Sequence, residues 1–303
     1  METHRAVALG FFDGVHIGHG ALLQKTRQRA DELGIPACAM SFDASPLSII
    51  GGAGAPLLST MDERTFLMKR CYGIDEVVFA HFDQSMMQLP WEEFIEEYLV
   101  HRLNARHVVC GHDYRFGYRG EGTPARLMDA CRAHGIGCDI VPEVDLDGIR
   151  VSSTAIRAQL AAGDTETARR FLGHPHLIRG TVVHGQELGR TIGVPTANIP
   201  MAQGLLIPPY GVYCAMADLD TGAQYPAVVN IGVHPTAGAL PAPVTEAWIS
   251  GLDESLYGRT LNVWLYRMLR REQKFDSLDA LRAQVLHDRD VTLQYCQANA
   301  NPG

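Results

Sequence analysis

Through the first half of the chain, short apolar runs alternate with longer segments of helical period. That alternation admits few folds. AVALG (6–10), IPACAMSF (35–42), EVVFA (76–80), HVVCG (107–111) and CDIVP (138–142) read as strands. Between them, residues 18–34, 62–73, 90–103 and 125–135 read as helices. Such alternation predicts βαβ units in a parallel sheet with helices on both faces, and ligands at the C-terminal ends of the strands. After about residue 178 the pattern changes. LIRGTVVHG, GVYCAMADLD, AQYPAVVNIG, VTEAWIS and RTLNVWLYRMLR are β-branched or aromatic runs separated by Gly/Pro turns. They predict antiparallel strands, and a small barrel hides their edges. The tail 277–297 has a helical period with Ser277 placed to cap it. The expected division is therefore an α/β domain over 1–178 and a β-barrel domain with a C-terminal helix over 179–303.

Composition narrows the functions. The 303 residues suffice for two cored domains, and 46% hydrophobic with 20% charged residues argues against disorder. No apolar run reaches the roughly 18 residues a membrane span needs. METHRAVALGFFDG lacks a basic stretch followed by an apolar one, so a cytoplasmic protein is expected. A net charge of −8 without a basic block argues against a nucleic-acid partner and for phosphates gripped locally. The seven cysteines include no C-x-x-C pair, which favours reduced thiols over zinc or disulfides. Oligomeric state is left open, a homo-oligomer included.

GFFDGVHIGHG (10–20) lies between the first strand and the first helix, where backbone N–H groups meet an anion. His16 and His19 are three apart, so their rings can lean toward one point. Nucleotidyl transfer needs such donors around the phosphates. Gly14 and Gly18 permit close backbone approach. CGHDYRFGYRG (110–120) brings Asp113, Arg115 and Gly117 to the end of another strand. VSSTAIRAQLAAG (151–163) opens a helix with three hydroxyls and places Arg157 one turn in, suited to a phosphate. Alone, that last pattern is more often an N-cap with a solvated arginine.

RGTVVHGQELGRTIGVPTANIP (179–200) is glycine-rich without being a Walker A, and such a turn can wrap phosphates. Thr196 and Asn198 point to one face of an extended segment, with oxygens suited to Mg²⁺. Glu246 is the one carboxylate in an apolar strand. It reads either as an outward-facing residue or as a general base for an alcohol. Arg270, Arg271 and Lys274 read as a solvated or helix-end cluster.

Together these strings carry a resemblance. H-x-G-H with a late S/T-x-x-R resembles the HxGH nucleotidyltransferases. FFDGVHIGH, DYRFG and SSTAIR resemble the adenylyltransferase half of bacterial bifunctional riboflavin kinase/FAD synthetases. G-x-V-x-H-G…G-R-x-x-G-x-P-T-A-N is similar to their riboflavin kinase domain. The resemblance implies an HxGH-type, Rossmann-like parallel sheet followed by a kinase barrel. It implies that Mg-ATP phosphorylates riboflavin to FMN and that a second ATP converts FMN to FAD. His16 and His19 would contact ATP phosphates, with Asp13 and Gly14 shaping the turn. Ser152, Thr154 and Arg157 would complete the nucleotide pocket, and Asp113 and Arg115 would lie near FMN or the phosphates. In the kinase half, Gly185, Gly189, Arg190 and Gly193 would cover ATP, Thr196 and Asn198 would bind Mg-ATP, and Glu246 would be the base. One departure is Ser45, in FDASPLSII, where the family usually has the histidine of Pro-His-Pro. A kinase with a weakened first half, or a flavin-binding protein on the same fold, are the alternatives.

Overall fold

The computed structural model describes residues 3–45, 54–185, 193–219, 222–234, 242–252 and 254–299. The chain forms two compact units, one up to Ser153 and one from Thr154.

In the first unit, β1 (Arg5–Leu9), β2 (Ala37–Phe42), β3 (Glu76–Ala80), β4 (Ala105–Gly111) and β5 (Gly137–Val141) make a parallel sheet of order β3-β2-β1-β4-β5. Ala6 to Leu9 and Ala37 to Met40 are buried, as strands covered on both faces must be. Helices α1 (Ile17–Leu33), α2 (Met61–Tyr72), α3 (Gln84–Gln88), α4 (Trp91–Phe94) and α5 (Pro124–Ala133) lie in the connections. α4 runs on as a π-helical stretch, Ile95–Arg102. Local chemistry sets the helix ends. Thr60 and Glu63 form a reciprocal capping box at the start of α2, and left-handed Gly34 and Gly73 close α1 and α2. The chain goes from β1 outward to β3, then returns to place β4 on the other side of β1. The loops after β1 and β4 therefore flank the switch point, where open α/β sheets bind ligands. A short hairpin, β6 (Asp145–Leu146) and β7 (Ile149–Arg150), turns on Asp147 and Gly148, both at positive φ.

The second unit contains α6 (Ser153–Ala162) from Thr154 on, and α7 (Thr165–Leu172). Its six strands are β8 (His176–Thr181), β9 (Ala197–Pro200), β10 (Gly211–Asp218), β11 (Gln224–His234), β12 (Ala242–Ile249) and β13 (Thr260–Arg271). They pair antiparallel in the order β8-β13-β10-β11-β12-β9. The ladder returns on itself where Val183 N–H donates to Asn198 O at 2.9 Å, just beyond β8. Ile178, Ile199, Tyr213, Val229, Ala247, Val263 and Leu265 fill the interior. α8 (Leu278–Asn299) closes the unit, with Ala280 N–H donating to Ser277 Oγ at its start.

The division between units falls earlier than residue 178 for a physical reason. Thr165 Oγ1 donates to Tyr266 O at 3.1 Å, and the Arg169 guanidinium lies 4.8 Å over the Tyr266 ring. α7 thus packs on the barrel strand β13. Arg270 also departs from the solvated reading. It reaches α8, where it grips the buried carboxylate of Asp288 at 2.8 and 3.1 Å.

Candidate functional site

In the first unit, the turn after β1 is held in an uncommon shape. Phe12, Gly14 and Val15 all have positive φ, a cost for the two non-glycine residues that the surroundings must offset. The surroundings do so through Asp13, whose buried carboxylate accepts from Leu58 N at 2.8 Å and Ser59 N at 3.2 Å. Gly14 N–H donates to Ser59 Oγ at 2.8 Å. Arg64 of α2, almost fully buried, donates from Nη1 to Phe11 O at 2.8 Å, Ser41 Oγ at 2.9 Å and Phe42 O at 3.1 Å. Its guanidinium also lies 4.7 Å from the Phe11 ring centroid and 5.0 Å from that of Phe79.

That frame presents two histidines. His16 caps α1, and its Nδ1 accepts from His19 N–H at 3.3 Å. Nδ1 is then the unprotonated nitrogen, and Nε2 carries the hydrogen. The His16 and His19 rings stack with centroids 3.6 Å apart. Burial, then the neighbouring His16 and Arg64, push the His19 pKa well below its ordinary 6.5, so the ring is neutral at pH 7. Its Nδ1 is buried without a hydrogen-bond partner among the described residues. An orphaned polar atom beside a helix N-terminus that carries no acidic residue in its first turn suits an incoming phosphate oxygen. Gly18 lets this happen, since a Cβ there would lie 3.1 Å from the His16 ring.

After β4, the loop is fixed by Phe116 and Gly122, which exchange backbone bonds at 2.9 and 3.3 Å. Gly117, at φ +71, lies so close to Trp91 that a Cβ would meet its backbone at 2.5 Å. Arg115 is exposed beside this loop. Asp113 is ion-paired with Arg150 of β7. Asp13 and Gly14 thus face into the frame that shapes the turn. Ser153, next to Ser152, reaches the turn, its Oγ donating to Asp13 O at 2.9 Å. Thr154 is exposed, and it and Arg157 stand on α6 within the second unit.

In the second unit, cross-strand register does the placing. Glu246 of β12 stands opposite Asn198 of β9 on one side and Asn230 of β11 on the other. Ala247, Ile249, Ala197 and Ile199 point into the core, so Glu246, Asn198 and Asn230 share the opposite face. Glu246 is half-buried and Asn198 buried. The Asn198 amide packs against Gly185, where a Cβ would come within 2.5 Å of it. Asn198 Nδ2 donates to Thr196 O at 3.4 Å, so the two expected ligands stay adjacent. Gly193 has a φ of +77. Gly189 and Arg190 lie outside the described residues. A hydroxyl, an amide oxygen and a nearby carboxylate are the hard oxygen donors that Mg²⁺ prefers. Among the described residues there is no group of three or more His, Cys, Asp or Glu that could hold a metal ion.

Two family models match the chain. One, described as FAD synthetase, matches residues 1–155, and one described as riboflavin kinase matches residues 172–296. A Pseudomonas fluorescens bifunctional riboflavin kinase/FMN adenylyltransferase is 38% identical over 280 residues, covering 92% of this chain and 89% of that protein. The protein of that name from Escherichia coli K12 is 38% identical, covering 93% of this chain and 90% of its own. The one from Bacillus subtilis 168 is 32% identical, covering 97% and 93%. The chain belongs to the bifunctional riboflavin kinase/FMN adenylyltransferase family.

A further likeness carries a different description. A solved Streptococcus pneumoniae structure described as a macrolide-efflux protein superposes with a TM-score of 0.80 at 30% identity, over 96% of this chain and 94% of that one. Among the described residues of this family member, no helix is long and apolar enough to cross a membrane. Arg64, Arg150, Ser153 and Asn230 are the site-shaping residues that sequence reasoning missed. Only Ser153 had a local signal, since it lies inside the SST string.

Proposed function

We infer that this chain makes FMN from riboflavin and ATP in its second unit, and FAD from FMN and a second ATP in its first. The observation that carries this is the presence of both frames in one family member. One is the His16/His19 turn at the sheet's switch point, and the other is the Asn198–Glu246 pair on the barrel.

In the kinase step, Glu246 takes the proton of the ribityl 5′-hydroxyl as its oxygen bonds to the γ-phosphorus. The bond from that phosphorus to the departing ADP breaks. Thr196 and Asn198 are the residues that would hold Mg²⁺, which supplies charge neutralisation to the phosphates. Gly185 and Gly193 would lie against them. Glu246 is half-buried and stands in register between the amides of Asn198 and Asn230.

In the adenylyl-transfer step, a phosphate oxygen of FMN attacks the α-phosphorus of ATP, and pyrophosphate leaves. That nucleophile is already anionic, so the site needs positioning and charge stabilisation rather than a base. His16 offers an Nε2–H, and neutral His19 donates one hydrogen without a deprotonation equilibrium near pH 7. Arg115, with the hydroxyl of Ser152, would hold further phosphate and ribose oxygens, while Asp113 steadies the loop after β4 through Arg150. Seven free thiols fit a reducing cytoplasm, and the acidic net charge fits small-molecule partners rather than nucleic acid.

The test separates the two by-products. ADP release should require riboflavin, and pyrophosphate release should require FMN. Pyrophosphate release that ignores FMN would count against the assignment of the first unit.

A further inference from the structure

At the same C-terminal end of the parallel sheet as the His16/His19 turn, the structure holds a further histidine that the reactions above do not use. His81 follows β3 directly, and Asp43 follows β2. His81 Nδ1 and Asp43 Oδ2 are 2.6 Å apart, while Asp43 Oδ1 accepts from Phe82 N–H at 2.9 Å. Asp43 N–H in turn donates to Ala80 O at 3.2 Å. The aspartate is therefore locked by the backbone of β3 and of the loop that follows it, and the imidazole it holds is three-quarters exposed. With Nδ1–H donated to the carboxylate, Nε2 faces solvent, and it becomes a second donor when the ring is protonated.

The position ties this pair to the adenylyl-transfer frame. One Arg64 nitrogen binds both Phe11 O, in the turn that carries His16, and Phe42 O, the residue before Asp43. The ends of β1 and β2 are thus joined through a single guanidinium, and β3 pairs next to β2 with Phe42 opposite Ala80. His81 stands at the C-terminal ends of the strands, on the β2–β3 side of the switch point. Asp43 raises the pKa of His81 above 6.5, with Asp83 adding to it, and His81 lowers that of Asp43. Arg64 faces Asp43 from α2. An exposed ion pair adds little to stability, so a ring locked this firmly needs another reason.

We propose that His81, positioned by Asp43, binds a phosphoryl group of one of the two phosphorylated substrates of the adenylyl-transfer site. This rests on the reading of the first unit as an FMN adenylyltransferase. The shared chemistry is a phosphate oxygen accepting from Nε2–H, and the oxygen belongs either to the FMN monophosphate or to the ATP polyphosphate.

The experiment uses the full chain carrying His81→Gln, with His81→Ala and Asp43→Asn beside it. Steady-state FAD formation is measured while FMN and ATP are varied in turn, with pyrophosphate as product inhibitor. Losing one charge-assisted bond should raise the affected KM about tenfold. A rise for FMN alone assigns the monophosphate. A rise for ATP with weaker pyrophosphate inhibition assigns the polyphosphate. In the parent protein the affected kcat/KM should fall as pH rises through the raised His81 pKa. That limb should vanish in His81→Gln and move to lower pH in Asp43→Asn. A structural role would lower the melting temperature and leave both KM values and the limb in place. Unchanged KM values with an unchanged pH profile would overturn the proposal. Absence of FAD formation by the parent protein would instead overturn the reading on which it rests.

Discussion

Glu246 and Asn198 stand directly opposite each other on β12 and β9, on the face of the sheet turned away from the barrel core. Directly opposed residues on one face have Cβ atoms about 4.5–5.5 Å apart. A carboxylate and an amide oxygen are therefore held together by strand register rather than by flexible side-chain choice. Glu246→Gln keeps the size and removes the acceptor charge. Riboflavin phosphorylation should fall roughly 10²–10³-fold, toward the low end of general-base losses because phosphoryl-transfer states are loose. The loss should appear in kcat with little change in the KM for ATP. Conversion of supplied FMN to FAD should be unchanged. Steady-state kinetics of both steps on one preparation checks this, and undiminished phosphorylation would contradict it.

His19→Ala should have the complementary effect. Removing a preorganised donor to a transition-state phosphate costs about 10²–10³-fold. FAD formation should fall by that amount, while FMN formation persists. FAD formation at the parent rate would mean that the stacked pair does not serve the phosphates.

Arg64→Leu tests the frame below that pair. It removes three hydrogen bonds from one buried nitrogen and leaves Phe42 O without that donor. Breaking a buried charged network typically costs about 3–5 kcal/mol. The first unit should melt earlier, and FAD formation should suffer while riboflavin phosphorylation is kept. Equal loss of both activities would contradict a frame confined to the first unit.

How much of this was legible beforehand depended on range. The two histidines, the glycines around them and the PTAN string are local, so their placement on a turn and on an extended segment could be read from spacing. The parallel sheet and the barrel followed from period alone. Arg64 could not be read, because in DERTFLMKR it looks like any charged helix residue until β1 and β2 supply its acceptors. Asp43 and His81 are 38 residues apart and meet only because β2 neighbours β3. Arg270 reads as solvated until Asp288 on α8 is folded against it. α7 did carry a signal that went unused, with Asp164 as its N-cap and Gly173 as its left-handed stop.

The placement of α7 bears on how the units separate. A fragment starting at Thr154 keeps the Thr165–Tyr266 and Arg169–Tyr266 contacts, and one starting at Gly180 loses them. Gly180 also lies inside β8, so the shorter fragment loses His176–Arg179 from the pairing with β13 and Ile178 from the core, and only the fragment from Thr154 should fold and phosphorylate riboflavin. Denaturant titration of both fragments compares them. A folded fragment from Thr154 without kinase activity would contradict a self-contained barrel site.

His176 gives a pH dependence with a definite sign. Burial, with His174 nearby, lowers its pKa to about 4. The unfolded chain takes up a proton near 6.5 that the native site refuses until about 4. Its contribution is therefore complete above about pH 6.5 and is lost as pH falls toward 4, roughly 3 kcal/mol across the window. Unfolding free energies between pH 7 and pH 5 should fall less steeply in His176→Gln by about one proton. Identical slopes would contradict a neutral buried imidazole.

The most direct measurement is a time course of the unaltered protein supplied with riboflavin, ATP and Mg²⁺, with flavins separated by chromatography. FMN should appear first and then decline as FAD rises, with one ADP for each riboflavin consumed and one pyrophosphate for each FAD formed. FMN that accumulates without FAD would contradict the function assigned to the His16/His19 turn, and riboflavin left unconsumed would contradict that assigned to Glu246 and Asn198.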